Sequence, residues 1–163
     1  ATCKIVNNYT SKALRPYNAG TGDNTNIVQD TYHATWTSQQ WQVASQGNGY
    51  YAIVNNYTGK SLRPLDASTA SGASIVQYTY NSSWQSEQWQ LIPNGAGYYG
   101  IENRYSGLAL RPLNAGRSRP LVAKYAPCLE TGRIAVSSPP DGFAAFRASF
   151  TKISGIWPAF STT

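Results

Sequence analysis

The side chains that could bind a ligand are aromatic rings, carboxamides and arginines that return at a fixed interval along the chain. Trp36 returns as Trp84, and Gln29 returns as Gln77, so both pairs have the same spacing. A carboxamide both donates and accepts hydrogen bonds, and an indole offers a flat apolar face. Together they suit an uncharged polar ligand that also has an apolar face.

The composition gives little support for chemistry that needs titratable groups. The 163 residues include seven acids, one histidine and two cysteines. Glycoside hydrolysis needs two carboxylates about 5 to 10 Å apart, and no acidic pair recurs in the sequence. His33 has no cysteine or serine partner at a telling spacing, and Cys3 and Cys128 are too few and too distant for a zinc site. We therefore expect no enzymatic activity, no metal and no cofactor.

The same interval, which carries Trp36 onto Trp84, extends through most of the chain. Residues 5–51 and 53–99 are identical at 26 of 47 positions without a gap. The third copy matches the second at nine of fifteen positions over 101–115, and then at one of 32 over 116–147. Self-similarity of this kind marks an internal duplication. We divide a single domain of residues 1–163 into repeats 4–51, 52–99 and 100–147, followed by a C-terminal extension, 148–163.

Each repeat contains about four short segments rich in β-forming residues, separated by Gly, Asn, Ser and Asp clusters. One repeat cannot bury its apolar face alone, so three repeats must share a core. We predict an all-β fold of about twelve strands, a β-trefoil with six barrel strands capped by three hairpins. The predicted core residues are Trp41, Trp89, Ile5, Ile53, Ile101, Leu14, Leu62 and Leu110.

The segments that end the first two repeats carry a recognisable signature. They are Gln39-Gln40-Trp41 and Glu87-Gln88-Trp89, each preceded by an Ile-Val-Gln strand. With the tripled unit, they resemble the ricin B-type lectin family, whose repeats end in Gln-x-Trp. The strict spacing is met at Gln39. The resemblance implies a β-trefoil with a sugar pocket in each repeat, a fold that also serves as a carbohydrate-binding module on secreted glycosidases.

The sequence departs from the pocket that the family implies. The family's Asp after the second-strand Leu is replaced by Arg15, Arg63 and Arg111, and its Asn before Gln-x-Trp by Ser38 and Ser86. Losing the Asp weakens the case for galactose binding through that pocket. The arginines could contact an acidic sugar, or each could lie over a neighbouring tyrosine and fix the repeat. We favour the second account because an Arg-Pro pair stands in every copy.

We place the candidate sugar-binding residues in the first two repeats. Trp36 and Trp84 lie in loops outside the core pattern and could stack on a sugar ring, with packing inside the loop as the alternative. Asp30 and Asp66 could each supply a carboxylate to a rearranged pocket. The predicted sugar-binding residues are Gln29, Tyr32, Trp36, Ser38, Gln39, Arg63, Gln77, Tyr78, Tyr80 and Trp84.

Charge and cysteines give expectations about location and partners. The net charge is +6, but no run of consecutive basic residues occurs, so we expect no nucleic-acid partner. No apolar stretch approaches the roughly 20 residues of a membrane span. The Ala1-Thr2-Cys3 start and the lack of Met predict a secreted, extracellular protein whose signal peptide has been removed. A disulfide between Cys3 and Cys128 is the default in that compartment.

These observations favour a secreted carbohydrate-binding protein, either an R-type lectin or a carbohydrate-binding module. It would bind glycans through shallow pockets on its repeats, and repetition would reinforce weak single sites. The alternative is a non-lectin trefoil that acts by protein contact, as an inhibitor, a toxin subunit or a self-assembling surface protein. Residues 116–163 could then pair copies of the chain into a homo-oligomer, because 143–160 is rich in apolar side chains.

Overall fold

A computed structural model describes residues 2–7, 10–93 and 99–112, and the backbone of three later strands. The described elements are strands and short 3₁₀ turns, with no α-helix among them, as predicted. The strands are β1 (Thr2–Asn7), β2 (Ala13–Pro16), β3 (Ile27–Asp30), β4 (Trp41–Gly47), β5 (Tyr50–Asn55), β6 (Ser61–Pro64), β7 (Ile75–Tyr78), β8 (Gln88–Pro93), β9 (Tyr99–Asn103), β10 (Ala123–Leu129), β11 (Gly132–Ser137) and β12 (Ala145–Ser149).

Strand pairing repeats at the interval seen in the sequence. In β1 and β4, Cys3 faces Trp41, and at the equivalent positions of the next repeat Tyr51 of β5 faces Trp89 of β8. The β2–β3 and β6–β7 hairpins are likewise equivalent, with Leu14 opposite Gln29 and Leu62 opposite Gln77. Equal sequence patterns have therefore produced equal register, as expected when the same face of each strand must reach a common core.

The core forms where the three repeats meet. It contains the signature tryptophans, which are fully buried, and each indole N–H donates to the backbone of its own repeat. Trp41 Nε1 donates to the Leu14 carbonyl at 3.0 Å, and Trp89 Nε1 to the Leu62 carbonyl at 2.9 Å. The isoleucines and leucines predicted from the repeat surround them, which confirms the predicted core: Ile5, Ile53, Ile101, Leu14, Leu62 and Leu110.

The third repeat departs from the common spacing after Pro112. Trp41 faces Asn55 and Trp89 faces Asn103, and the equivalent asparagine of β1, Asn7, faces Ala123 of β10. Ala123 thus holds the register position of the signature tryptophan, and it follows Trp89 by less than the interval from Trp41 to Trp89. The bounds of the third repeat, 100–147, stay a prediction. Leu121 and Val122, the expected third-repeat strand, lie outside the described residues.

The predicted disulfide lies partly beyond the described side chains. Cys3 is buried in β1, and β1 pairs with β10, the strand that contains Cys128. This places the two cysteines on neighbouring strands, and the bond stays a prediction. The C-terminal extension and the side chains of 116–163, assigned to a homo-oligomer contact, are likewise outside the described part.

A loop of the first repeat docks on the second. Gln77 donates from Nε2 to the carbonyls of Gly20 and Gly22, at 2.8 and 3.0 Å. Asp23 accepts from Lys60 at 2.5 Å and from the Thr79 N–H at 2.9 Å. The Lys60 ammonium holds the pKa of Asp23 below its ordinary value. These contacts fix the second repeat's hairpin, and hence the loop that follows it.

Candidate functional site

The loop after β3 holds Trp36 at the surface on a rigid frame. Gln39 is fully buried and clamps this loop: its Nε2 donates to the Thr31 carbonyl, and its Oε1 accepts from the His33 N–H, both at 2.7 Å. The backbone then turns through a 3₁₀ segment, Thr37–Gln39, in which the Gln39 N–H donates to the Trp36 carbonyl. Backbone hydrogen bonds thus hold the chain on both sides of Trp36, which is 39% exposed.

The second repeat builds the same loop around Trp84. The backbone N–H of Trp84 donates to the Asn81 carbonyl, and the backbone N–H of Trp36 donates to the His33 carbonyl in the same way. A 3₁₀ segment, Gln85–Glu87, follows, and Glu87 takes the place of Gln39. Trp84 is also 39% exposed. The chain therefore displays two equivalent indoles on two equivalent frames.

In the first repeat, an arginine and an acid accompany the indole. The Arg15 guanidinium lies 5.0 Å from the centre of the Trp36 ring and 3.1 Å from the Asp30 carboxylate. The His33 imidazole stacks on Trp36 with ring centres 4.1 Å apart. We call Arg15, Asp30, His33 and Trp36 the first cleft. Its exposed carboxylate can accept hydrogen bonds from hydroxyl groups beside an aromatic ring.

In the second repeat, a tyrosine replaces the acid. The Arg63 guanidinium lies 4.2 Å from the centre of the Tyr78 ring and 5.5 Å from that of Trp84. The two rings are tilted against each other, with centres 5.8 Å apart. We call Arg63, Tyr78 and Trp84 the second cleft. Arg63 is only 7% exposed, so it supports the rings from beneath. This is the arrangement of arginine over tyrosine favoured from the sequence.

Four of the predicted sugar-binding residues serve the frame and do not reach the clefts. Gln29 accepts from Asn7 Nδ2 and Thr10 Oγ1, and Gln77, fully buried, accepts from Thr58 Oγ1. Ser38 is buried against the next repeat, and Gln39 clamps its own loop. Their polar atoms satisfy buried backbone and neighbouring side chains, a demand that the sequence does not show. The assignment of these four as sugar contacts stays a prediction.

Tyr32 and Tyr80 flank the clefts at equivalent, half-buried positions. The Lys4 ammonium lies 4.0 Å above the Tyr32 ring, and the Tyr80 hydroxyl donates to Gln46. Burial, and then the charge of Glu87, raise the pKa of Tyr80. Both tyrosines keep an exposed part, so their predicted contact with a ligand stays a prediction.

Two residues of the first cleft were missed. His33, which was not among the predicted sugar-binding residues, is exposed and stacks on Trp36. Arg15 was left out although it occupies in the first repeat the position of Arg63 in the second, and that equivalence could have identified it. Asp30, considered as a carboxylate for a rearranged pocket, lies beside Arg15, whereas Asp66 lies on an exposed 3₁₀ turn and in neither cleft.

Other features of the described residues point to no different chemistry. They contain no group of three or more His, Cys, Asp or Glu side chains that could hold a metal ion. No helix within them is long and apolar enough to cross a membrane. A cavity of about 640 Å³ lies between the Ser68–Ser74 loop and the start of the third repeat. Its lining includes no aromatic residue of either cleft and ends at Pro112, where the described segment also ends.

Comparison with known structures places the fold among β-trefoils. ThreeFoil, a designed 3-fold symmetric protein, is 33% identical, with a TM-score of 0.69 over 90% of this chain and 96% of that one. An exo-β-1,3-galactanase from Clostridium thermocellum, 1,3Gal43A, is 24% identical, with a TM-score of 0.66 over 91% of this chain and 30% of the enzyme. An endo-β-galactosidase from Clostridium perfringens that releases GlcNAcα1-4Gal is 17% identical, with a TM-score of 0.60 over 90% of this chain and 32% of the enzyme.

The chain thus spans about a third of each glycosidase, whose likeness shows the shared fold alone. Comparison with curated protein sequences finds no match. The family model for ricin-type β-trefoil lectin domain-like sequences matches residues 37–119, just over half of the chain. That span holds both the first signature and the whole second repeat. The chain belongs to the ricin-type β-trefoil lectin-like family.

Proposed function

We propose that this protein binds neutral glycans, with one sugar unit stacked on Trp36 in the first cleft and another on Trp84 in the second. The observation that carries the proposal is the pair of equivalent tryptophans, each 39% exposed on a loop held by backbone hydrogen bonds. A rigid exposed aromatic ring stacks on the apolar face of a sugar without first losing conformational freedom. Family membership supports the same class of ligand.

The charges around the clefts favour neutral over acidic sugars. Arg15 is paired with Asp30, and Arg63 is covered by two aromatic rings. Neither guanidinium is therefore free to make the bidentate contact that would select a uronic or sialic acid. The first cleft adds the Asp30 carboxylate as a hydrogen-bond acceptor, and the second adds the Tyr78 hydroxyl, so the two are expected to differ in preference.

The proposal extends to a secreted protein that binds but does not hydrolyse its glycan, either as a free lectin or as a module of a longer protein. The matched glycosidases, three times its length, illustrate the second arrangement. Detection of the chain in the medium of producing cells would test secretion, and incubation with bound glycans followed by product analysis would test for hydrolysis.

A glycan array read at low and high salt tests the binding proposal. We expect salt-resistant binding to neutral glycans, reduced at least tenfold by Trp36→Ala or Trp84→Ala and abolished by the double variant. Tyr57→Ala, which removes an aromatic ring that is also exposed but belongs to neither cleft, is the matched control. Binding confined to acidic glycans and lost in salt would move the site to the arginines. A blank array from folded protein would reject glycan binding.

A further inference from the structure

The two clefts are anchored by different chemical groups at one position. In the first repeat the anchor is the Gln39 carboxamide, which accepts from the His33 N–H and donates to the Thr31 carbonyl. In the second, Glu87 Oε2 accepts from the Asn81 N–H at 2.7 Å, the bond equivalent to the one from His33. The two repeats thus place an amide and a carboxyl group at equivalent positions of the same loop.

The other oxygen of Glu87 lacks what the amide provides. Glu87 is 0% exposed, and its Oε1 has no hydrogen-bond partner among the described residues. Gln39 uses its second polar atom, Nε2, to donate to Thr31, whose equivalent in the second repeat is Thr79. A carboxylate oxygen can only accept, whereas a protonated carboxyl group donates as the amide does. Protonation of Glu87 therefore completes the second anchor.

The surroundings of Glu87 favour the protonated form. Burial raises the pKa of Glu87 and is the largest influence, and the Asp23 charge raises it further. The Asn81 N–H, the Ser61 hydroxyl and the Arg63 guanidinium act in the opposite direction. Tyr80, whose own pKa the charge of Glu87 raises, is the remaining titratable neighbour. The first repeat lacks both groups at the equivalent positions: Ala13 replaces Ser61, and Gln39 replaces Glu87.

We propose that Glu87 is a positioning residue that makes the second cleft pH-dependent, and that the first cleft, anchored by Gln39, is not. The neutral carboxyl group ties the Asn81–Trp84 loop to the Thr79 backbone. When Glu87 ionises, the carboxylate can no longer donate to the Thr79 carbonyl as Gln39 does to Thr31, and the loop that holds Trp84 loosens. Of the two clefts, both then bind glycan in acid and the first alone binds it at higher pH. The predicted change in glycan binding rests on the proposed function, whereas the predicted effect of Glu87 on stability does not.

The ligand-free test compares stability across pH in four proteins: wild type, Glu87→Gln, Gln39→Glu and Asp66→Asn. Because folding raises the pKa of Glu87, its contribution to stability is full below the unfolded-state pKa and is lost as pH rises through the folded-state pKa. We expect Glu87→Gln to gain stability relative to wild type as pH rises from about 4.5 to 8, and Gln39→Glu to lose it over the same range. Asp66→Asn replaces an exposed acid by the residue at the equivalent position of the first repeat, Asn18. Its stability should change with pH in parallel with that of the wild type.

The outcome that would overturn the anchor is a profile of Glu87→Gln parallel to wild type from about pH 4.5 to 8. Carbon-13 NMR titration of the Glu87 carboxyl group gives a second reading that does not depend on folding yields. A titration midpoint at or below about 4.3, the ordinary value for glutamate, would contradict the proposal.

The binding test uses a printed panel of neutral glycans, read at pH 5 and pH 8. In the Trp36→Ala background, which leaves the second cleft, we expect binding to fall at least tenfold at pH 8 and to be restored by adding Glu87→Gln. In the Trp84→Ala background we expect no such fall. Unchanged binding of Trp36→Ala at both pH values would overturn the switch. A panel blank at both would reject the proposed function, while the stability profiles would still decide the role of Glu87.

Discussion

At the scale of single residues, position decides the role of identical side chains. Trp41 and Trp89 fill the core, whereas Trp36 and Trp84, five residues before them, stand at the surface. A 3₁₀ turn separates each exposed tryptophan from the buried one that follows it. The exposed indoles are thereby available for a ligand at little cost to the core.

Alanine substitution of a core tryptophan should lower stability, whereas substitution of an exposed tryptophan should lower binding. We expect Trp41→Ala to destabilise the fold by about 3 to 5 kcal/mol, because it leaves a cavity and removes the indole donor to the Leu14 carbonyl. Trp36→Ala should cost less than about 1 kcal/mol. Urea unfolding measures both. A large loss of stability in Trp36→Ala would mean that the ring is part of the packing and not a ligand platform.

The guanidinium of Arg63 should also be hard to replace. Lysine keeps the charge but loses the planar group that lies against Tyr78 and Trp84, so we expect Arg63→Lys to cost about 1 to 2 kcal/mol. Arg104→Lys is the matched control, because Arg104 lies over the Tyr50 ring at 4.4 Å but is exposed. That change should cost at most about 0.5 kcal/mol. Equal costs in urea unfolding would argue against a supporting role for Arg63 in the second cleft.

At the scale of elements, the turn between the first two strands of each repeat needs a residue with positive φ, and the repeats place different residues there. Gly59 and Gly107 adopt φ values of 68° and 65°, and Ser11 holds the equivalent position in the first repeat at φ 56°. A non-glycine residue in this left-handed region costs about 1 to 2 kcal/mol. The first repeat therefore carries strain that the other two avoid.

Replacing Ser11 by glycine should remove that strain. Part of the gain is lost to the greater freedom of glycine in the unfolded chain, so we expect Ser11→Gly to stabilise by up to about 1 kcal/mol. Gly59→Ser should destabilise by a similar amount. Thermal and urea unfolding would measure the pair. A loss of stability in Ser11→Gly would show that the serine side chain contributes more than its backbone costs.

At the scale of the whole molecule, the repeats depend on one another. Core residues of all three lie in one cluster, and Gln77 bonds the backbone of the first repeat from the second. We therefore expect a single unfolding transition, coincident by tryptophan fluorescence and far-ultraviolet circular dichroism. The fragment 52–99 should be unfolded, because one repeat cannot bury its apolar face. Two separate transitions, or a folded fragment, would contradict a shared core.

The sequence alone predicted much of this architecture. The constant spacing between matching residues established the repeats, the β-rich segments and the core residues, because each repeated pattern encodes the same position in a symmetric fold. The exposed Trp36 and Trp84 could be identified in the same way, since they fall outside the core pattern. Family resemblance carried over the pocket positions, but it did not show that Gln29, Gln39 and Gln77 hydrogen-bond within the protein.

The sequence by itself determined which positions of the repeats are equivalent. It could do so because each repeat buries one face on a common core, and burial restricts the residue types at those positions. Only the tertiary structure decided how polar side chains are used, because their partners lie far away along the chain. Gln77 is committed to Gly20 in the preceding repeat, and Trp41 faces Asn55 where Ala123 faces Asn7. The same holds for Glu87: its sequence position names the anchor, but only burial and an unpartnered oxygen show that the anchor needs a proton.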